Sequence, residues 1–208
     1  WRLPIGTPQS RGKALVNLLS IEGGDRITAI MPLPEDEESW GELDVMFATT
    51  RGTVRRNKLS DFVDVKRNGK IAMKLEEGDA ILNVLTCTET DDVLLTADSG
   101  QCIRFPTTDV RVFAGRNSVG VRGISLKDGE QAISMAIVGH VDASASERAA
   151  YLKQAAAERR LADGNGEEEE ITLPNEEVGE DTVLSAERYE ELKAREQFIL
   201  TISTKGFG

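Results

Sequence analysis

The sequence predicts an all-β chain built from a propeller-like repeat with about four short strands in each unit. The main observation is a hairpin pattern that occurs three times, in residues 44–56, 92–105 and 198–208. Each copy has an apolar run, a polar pair, a turn glycine and a return strand of apolar and basic residues, which is typical of a β-hairpin. The glycines of the first two copies, Gly52 and Gly100, are 48 residues apart, a spacing typical of a propeller blade.

Two further segments complete the predicted unit. Residues 68–79 and 119–130 share the positions of two glycines and a leucine, and residues 11–25 fit the same template. A third apolar strand follows each of these segments, at residues 26–33, 80–87 and 131–138. Residues 1–139 are therefore predicted to form blades, and about three blades are expected in the whole chain. Because the pattern begins and stops in the middle of a unit, we expect the chain to be a piece of a longer protein.

Residues 140–197 interrupt the repeat and hold most of the negative charge. About 16 acidic and about 7 basic residues lie between positions 141 and 197, whereas the whole chain has a net charge of −11. The acidity of the chain is therefore local. Residues 140–197 are predicted to be an insertion in a blade loop, and residues 198–208 are predicted to return to the interrupted blade.

The insertion is predicted to be partly helical and partly disordered. Ser144 and Glu147 form the pattern of a capping box, and the residues that follow have a modest apolar face at Leu152, Ala155 and Ala156. A second helix is predicted at residues 185–197. The intervening residues 164–181 have too few apolar groups to offset the entropy of ordering, so we expect them to be mobile.

Composition and spacing exclude several kinds of site. No apolar run approaches the roughly 18 residues that a membrane span requires, and residues 1–10 do not have the regions of a signal peptide. Cys87, Cys102 and His140 are too far apart in sequence to form a structural zinc site, so we expect free thiols in a cytoplasmic protein and no metal or cofactor in this chain. The adjacent carboxylates in predicted turns form no evident acid–base pair, so we expect no catalytic residue here.

Basic residues are concentrated in the repeat, where a phosphate backbone is their natural partner. Repeated blades place equivalent positions at similar heights around one rim, so these cations are predicted to form a basic track that binds double-stranded DNA without reading its sequence. The alternative is that they only solubilise strand ends and protect edges from pairing. The candidate DNA-binding residues are Arg51, Arg55, Arg56, Lys58, Lys66, Arg67, Lys70, Arg104, Arg111, Arg116, Arg122 and Lys205.

Five segments of the sequence resemble one known family in style and in order. They read RLPIGTPQSRGKALVNLL, DRITAIMPLP, FATTRGTVRRNKLSDF, KIAMKLEEGD and SVGVRGISL. The chain is similar to the C-terminal β-pinwheel domain of the A subunit of bacterial DNA gyrase, a type IIA topoisomerase. The resemblance implies a six-bladed pinwheel, of which about half is present, with strands exchanged between neighbouring blades.

The same resemblance implies a function and a set of partners. In the family this domain bends DNA around its basic rim, and the holoenzyme introduces negative supercoils. The implied partners are double-stranded DNA, the rest of the gyrase A subunit, and the gyrase B subunit in a heterotetramer. ATP and magnesium are expected to bind elsewhere in the holoenzyme, and the implied location is the cytoplasm, in association with the chromosome.

Two departures from the family pattern leave alternatives open. The basic, glycine-rich heptapeptide box of the gyrase domain is not in the chain, so the related domain from the A subunit of topoisomerase IV is an alternative. Neither Tyr151 nor Tyr189 lies in a motif that matches the catalytic tyrosine, and both are expected on a helix surface. A propeller-like scaffold that binds basic protein partners through the acidic residues 35–38 is a further alternative, and only DNA binding is expected to weaken steeply with salt.

Overall fold

The computed structural model describes residues 5–17, 26–63, 65, 69–163 and 183–206. The chain divides into two compact units, Trp1–Val138 and Gly139–Gly208. The first unit contains the seven strands of the described residues, with β7 ending one residue beyond it. They are β1 (Asp44–Thr49), β2 (Thr53–Lys58), β3 (Ile81–Cys87), β4 (Asp91–Ala97), β5 (Cys102–Pro106), β6 (Val121–Arg122) and β7 (Ala132–Gly139).

The first two predicted hairpins are confirmed, and they follow the same register. Strands β1 and β2 are antiparallel with Asp44 opposite Lys58, and β4 and β5 are antiparallel with Asp92 opposite Pro106. The 48-residue spacing of the sequence repeat is thus also the spacing of the structural repeat. Gly52 has φ of 79°, a conformation that a residue with a Cβ atom rarely adopts, which explains why this turn position is glycine.

The strands form two sheets, and the first sheet includes a strand from the second repeat. The first sheet has the order β3-β1-β2-β6 and the second has the order β5-β4-β7. Because β6 comes from the second repeat and pairs with β2 of the first, the expected strand exchange between neighbouring units is confirmed. Gly120 allows the two chain segments to approach, since a Cβ atom there would lie 2.0 Å from the carbonyl oxygen of Val54.

Strand β1 is buried on both faces. Met46 and Ala48 belong to a core cluster that also contains residues of β4 and β7, whereas Val45 and Phe47 belong to a second cluster on the opposite face. Side chains alternate between the faces of a strand, so two apolar layers enclose β1. The first cluster is the shared core of the two sheets, as a stacked repeat requires.

Three predicted strand segments are not strands in the structure. Residues 26–33, the described residues 69–79 of the segment at 68–79, and residues 198–203 have no regular secondary structure, and the segment at 119–130 contains only the two residues of β6. These predictions were wrong because a strand is stable only when a ladder of backbone hydrogen bonds pairs it, and in the described residues these segments form no such ladder, only single bonds such as that from the Lys74 N–H to the Ser118 carbonyl. In the third hairpin only the turn conformation is present, with φ of 79° at Gly206.

The second unit contains two helices, α1 (Ala145–Asp163) and α2 (Ala186–Ala194). The predicted capping box is confirmed, since the Glu147 N–H donates to Ser144 Oγ and the Ser144 N–H donates to a Glu147 carboxylate oxygen. Ser185 caps α2 through a hydrogen bond from the Arg188 N–H. The predicted mobility of residues 164–181 falls outside the described residues, so it stays a prediction.

The expected surface position of the two tyrosines is wrong. Tyr151 and Tyr189 are 7% and 3% exposed, and their ring centroids are 5.2 Å apart. The two short helices need an apolar interface, and the tyrosines supply it together with Ala155 and Leu192. Burial, followed by the nearby Glu196 carboxylate, raises the pKa of Tyr151 to about 12.

Candidate nucleic-acid interface

Ten of the twelve predicted DNA-binding residues lie in the described part of the chain, and they fall into three groups. Arg51, Lys70, Arg104, Arg111, Arg122 and Lys205 are exposed, Lys58 and Arg116 are partly exposed, and Arg55 and Arg56 are buried. Lys66 and Arg67 lie outside the described residues. Lys205 belongs to the second unit, and the other described candidates belong to the first.

Arg56 faces the interior, where its charge has internal partners. Its Nε lies 2.7 Å from Asp44 Oδ2, and its Nη1 donates to the carbonyl oxygen of Thr107 at 3.1 Å. The side chain of Arg56 is only 3% exposed, so it does not present its charge to a DNA backbone in this conformation. Lys58, which is 40% exposed, completes the pair with an Nζ that lies 2.9 Å from Asp44 Oδ1.

The second repeat contains the same ion pair at the equivalent positions. Arg104 Nε lies 2.7 Å from Asp92 Oδ2, and both residues are 48 positions after Arg56 and Asp44. Arg104 is 47% exposed, because β5 is an edge strand whereas β2 is covered by β6. The ion pair therefore belongs to the repeat itself, and only its exposure differs between the two copies.

Arg55 is also buried, but its hydrogen-bond acceptors are neutral. Its Nε donates to Asn57 Oδ1 at 2.8 Å, its Nη1 donates to the backbone and side-chain oxygens of Ser118 at 2.5 and 2.9 Å, and its Nη2 donates to the Gly115 carbonyl. Within the part of the chain that the structure describes, no carboxylate oxygen forms an ion pair with Arg55. Burial, followed by the charge of Arg111, lowers the pKa of Arg55.

We call residues 107–118 the arginine loop. Side chains and backbone groups of β2 form hydrogen bonds with this loop. The Asn57 amide donates to the carbonyl oxygen of Phe113 at 2.9 Å, and the Phe113 N–H donates to the Arg56 carbonyl at 2.8 Å. Together with the bonds from Arg55 and Arg56, these contacts fix the loop at both ends and in the middle. The loop carries Arg111 and Arg116 on the β2 side of the first sheet.

Phe113 has guanidinium groups from two arginines against its ring. The central carbon of Arg55 is 4.4 Å from the ring centroid and that of Arg111 is 4.0 Å from it. Phe113 is buried, whereas Arg111 is exposed. The ring therefore stabilises both cations through its π face while one of them remains open to solvent.

Hydrogen bonds between the two repeats surround the arginine loop near Ser118 and Arg116. The Lys74 N–H of the first repeat donates to the same Ser118 carbonyl that accepts from Arg55, at 3.2 Å. Arg116 of the second repeat donates from Nη1 to the carbonyl oxygen of Asp61 at 3.2 Å. The Asp61 carboxylate accepts a hydrogen bond from Asn57 beside the arginine loop, and a second acidic residue, Asp109, is exposed within the loop.

A second group of exposed cations lies at the Gly52 turn. Arg51 occupies the turn and its N–H donates to Asp79 Oδ1 at 3.1 Å, while Arg122 of β6 pairs with Thr53. The strand exchange thus brings Arg122 of the second repeat next to a turn of the first.

Lys70 is an exposed candidate that has an internal partner. It donates from Nζ to the carbonyl oxygen of Val63.

Sequence reasoning missed Asn57, Phe113 and Ser118, which hold the arginine loop in place. One signal for Asn57 was present, because it follows Arg55 at a spacing of two and so shares its face of a strand. Phe113 and Ser118 lie in irregular backbone, where no periodicity marks them.

Two other kinds of site are not found in the described residues. Neither α1 nor α2, the two α-helices of the described ranges, is long and apolar enough to cross a membrane. No three residues among His, Cys, Asp and Glu in those ranges are placed to hold a metal ion. Cys87 is buried, and burial raises the pKa of its thiol to about 12.

Two stacked antiparallel sheets, joined by an exchanged strand and repeated every 48 residues, define a protein of the β-propeller class. Residues 43–88 and 91–139 each match the family model described as the DNA gyrase C-terminal domain, beta-propeller. The chain belongs to this family. The second match ends at Gly139, at the start of the second compact unit.

Several curated relatives are similar to the chain. The DNA gyrase A subunit of Granulibacter bethesdensis is 49% identical over the whole chain and that of Rickettsia bellii is 42% identical over the whole chain, and the matches cover 23% and 22% of those proteins. The DNA gyrase A subunit of Escherichia coli is 39% identical over 137 residues, which is 66% of this chain and 15% of that protein. The chain therefore spans about a quarter or less of the length of the curated relatives it matches.

Two solved structures share the fold. A DNA gyrase A C-terminal domain superposes with a TM-score of 0.52 at 21% identity, over 64% of this chain and 43% of that one. The C-terminal domain of a DNA topoisomerase IV superposes with a TM-score of 0.55 at 20% identity, over 63% of this chain and 40% of that one. At these identities the superpositions support the fold alone.

Proposed function

We propose that the chain is a DNA-binding and wrapping module from the A subunit of DNA gyrase, and that it binds duplex DNA without sequence preference. The observation that carries the proposal is the set of exposed cations on the strand-bearing unit of a gyrase-family domain, at the Gly52 turn and on the arginine loop. Phosphate oxygens are the ligands that spaced arginines and lysines bind, and such contacts position DNA without reading bases.

The secondary structure supports binding without base readout. In the described part of the first unit the regular elements are strands and short 3-10 turns, and no α-helix is present there that could enter a major groove. The cations lie in turns, in the arginine loop and at strand ends. This arrangement favours contact with a backbone that passes across the surface.

The proposal places the chain in a larger enzyme. We propose that it supports ATP-dependent negative supercoiling by a type IIA topoisomerase that contains the rest of the gyrase A subunit together with the gyrase B subunit. In this proposal the catalytic residues and the sites for ATP and magnesium lie elsewhere in the holoenzyme, and the assembly works on the chromosome in the cytoplasm. The names of the whole-chain relatives support this assignment.

The topoisomerase IV domain is the second candidate, and it is supported only by a superposition that shows the fold. The relatives that match the whole chain at 42% identity or more are gyrase subunits, which favours gyrase. A protein-binding scaffold is the third candidate, because Glu35, Asp36, Glu37 and Glu38 form an exposed acidic segment.

Fluorescence anisotropy of the chain with duplexes of unrelated sequence tests DNA binding. We expect weak binding with similar affinity for each duplex, and a log-log salt slope of about −0.9 for each phosphate contact. Strong preference for one duplex, or binding that does not change with salt, would contradict the proposal. Binding of a basic protein without binding of DNA would favour the scaffold.

Ligation of nicked circular DNA in the presence of the protein tests wrapping. We expect no change of linking number with this chain alone, because it superposes on only 43% of the solved gyrase A C-terminal domain. We expect a change with the full-length protein, and loss of that change when this region is deleted from it. A full-length protein that wraps DNA equally well without this region would contradict the wrapping role.

A further inference from the structure

We infer that the arginine loop, residues 107–118, is a phosphate-binding element in which Arg111 and Arg116 contact the DNA backbone while Arg55 and Asn57 of β2 position them. This inference rests on the proposed function and assigns it to one loop. It also gives Arg55 a role that differs from direct contact with DNA. Arg55 is 0% exposed, so its part in binding has to act through the loop that it holds.

Arg55 is buried without the partner that such a charge usually has. A buried guanidinium normally stands beside a carboxylate, as Arg56 does beside Asp44. Arg55 instead donates to an amide, a hydroxyl and two backbone carbonyls, so its positive charge is not neutralised by an ion pair in the described part of the chain. The nearby Asp61 carboxylate opposes the lowering of the Arg55 pKa, but burial and the charge of Arg111 outweigh it, so the guanidinium keeps a positive charge beneath the loop that no ion pair cancels.

A second guanidinium lies on the same aromatic ring. The central carbons of Arg55 and Arg111 lie 4.4 and 4.0 Å from the Phe113 centroid, and the charge of Arg111 contributes to the lowered pKa of Arg55. Two like charges at one ring repel each other, and an anion bound beside the exposed one reduces that repulsion. A phosphate of DNA is the anion that the proposed function supplies.

The loop backbone is held in place by the neighbouring repeat. Irregular backbone would leave Arg111 and Arg116 free to take many positions, and ordering them on binding would cost affinity. Hydrogen bonds from Arg55, Arg56 and Asn57 fix the loop before DNA arrives. Pre-organisation of the cations is therefore provided by β2, a strand of the first repeat.

The salt dependence of DNA binding by the 208-residue chain tests the contact residues. We expect the double variant Arg111→Ala with Arg116→Ala to reduce the salt slope by about two units. The matched control is Lys127→Ala, which removes one exposed cation of the same unit outside the loop, and it should leave the slope almost unchanged. An unchanged slope in the double variant, with normal binding by the parent chain, would overturn the inference and leave the proposed function in place.

Two substitutions of Arg55 test positioning. Arg55→Lys keeps the charge but cannot reach all the acceptors of the guanidinium, and Arg55→Met removes the charge. We expect both substitutions to reduce the salt slope of DNA binding by a similar amount, about one to two units, because both remove hydrogen bonds that hold the loop to β2. Full rescue by lysine would show that Arg55 acts through its charge alone, and a reduced melting temperature with an unchanged slope would show a purely structural role. Either result would overturn the positioning role.

The measurements separate failure of the inference from failure of the proposed function. If the parent chain binds no DNA, the proposed function fails. If neither Arg55 variant folds, the double variant of Arg111 and Arg116, which are on the loop surface, still decides whether the loop contacts DNA. Circular dichroism of each variant establishes that the compared proteins are folded.

Discussion

At the scale of single residues, the repeat is marked by an ion pair whose surroundings differ between its two copies. Asp44 and Asp92 occupy equivalent positions in β1 and β4, and each lies 2.7 Å from the Nε of an arginine on the neighbouring strand. Arg56 is 3% exposed and Arg104 is 47% exposed. The two residues and their register are the same in both repeats and both aspartates are buried, so only the burial of the arginine differs.

This difference predicts unequal costs for the same substitution. Arg56→Met leaves the buried Asp44 carboxylate with only Lys58 as a cationic partner, and we expect a loss of about 3 kcal/mol in the free energy of unfolding. Arg104→Met is the matched control, and we expect a smaller loss of about 1 to 2 kcal/mol, because Asp92 is buried but water can take the place of the half-exposed arginine. Urea denaturation of both variants measures the difference. Equal losses would show that burial does not set the strength of this pair.

At the scale of elements, β6 joins the repeats. It has only two residues, yet it covers the edge of β2 with Arg122 opposite Thr53 and Val121 opposite Val54. The residue before it, Gly120, lies where a Cβ atom would be 2.0 Å from the Val54 carbonyl oxygen. The exchanged strand therefore depends on the absence of one side chain.

Gly120→Ala is expected to separate β6 from β2. The clash is with backbone, which cannot rotate away, so we expect a loss of about 1 to 3 kcal/mol in unfolding free energy. Gly41→Ala is the control, because no atom lies within 4 Å of its added Cβ, and we expect a change within about 0.5 kcal/mol. Similar unfolding midpoints for the two variants in urea would show that the approach at Gly120 is not required.

The elements also show what could be predicted from the sequence. The hairpins at Gly52 and Gly100 and the capping box at Ser144 were predictable, because turn glycines and helix caps are local rules. The burial of Arg55 was not, because it depends on a loop 60 residues away in sequence. Local patterns report which backbone conformation is favoured, whereas exposure depends on which distant segment covers a strand.

At the scale of the whole molecule, a compact unit of strands and a compact unit of helices occur in one chain. The family match ends at Gly139, and the match to the Escherichia coli protein covers 66% of the chain, whereas the Granulibacter and Rickettsia bellii matches cover all of it. Ion pairs connect the helices to each other, including Arg188 with Glu147 and Lys193 with Glu158. We propose that residues 140–197 are an insertion that the strand-bearing unit does not need for folding.

Replacement of residues 140–197 by a short glycine and serine linker tests this proposal and its effect on DNA. We expect the strand-bearing unit to keep its unfolding midpoint, and we expect tighter DNA binding at low salt because the acidic residues repel phosphates. The gain should fade as salt screens the charges. Substitution of Glu167, Glu168, Glu169 and Glu170 by glutamine is the matched control for charge at constant length. Loss of folding in the shortened chain would assign the helices to the core.

The exchanged strand has a consequence for synthesis on the ribosome. The first sheet needs Arg122, which is 64 residues after the end of β2 at Lys58. At a rate of synthesis of about 5 to 20 residues per second, roughly 3 to 13 s pass between the translation of β2 and the translation of the strand that covers its edge. During that interval β2 is paired with β1 on one side only, and its open edge belongs to a strand with two arginines at its centre, whose charges oppose pairing with another nascent chain. The residues that later hold the arginine loop thus also protect the unfinished sheet.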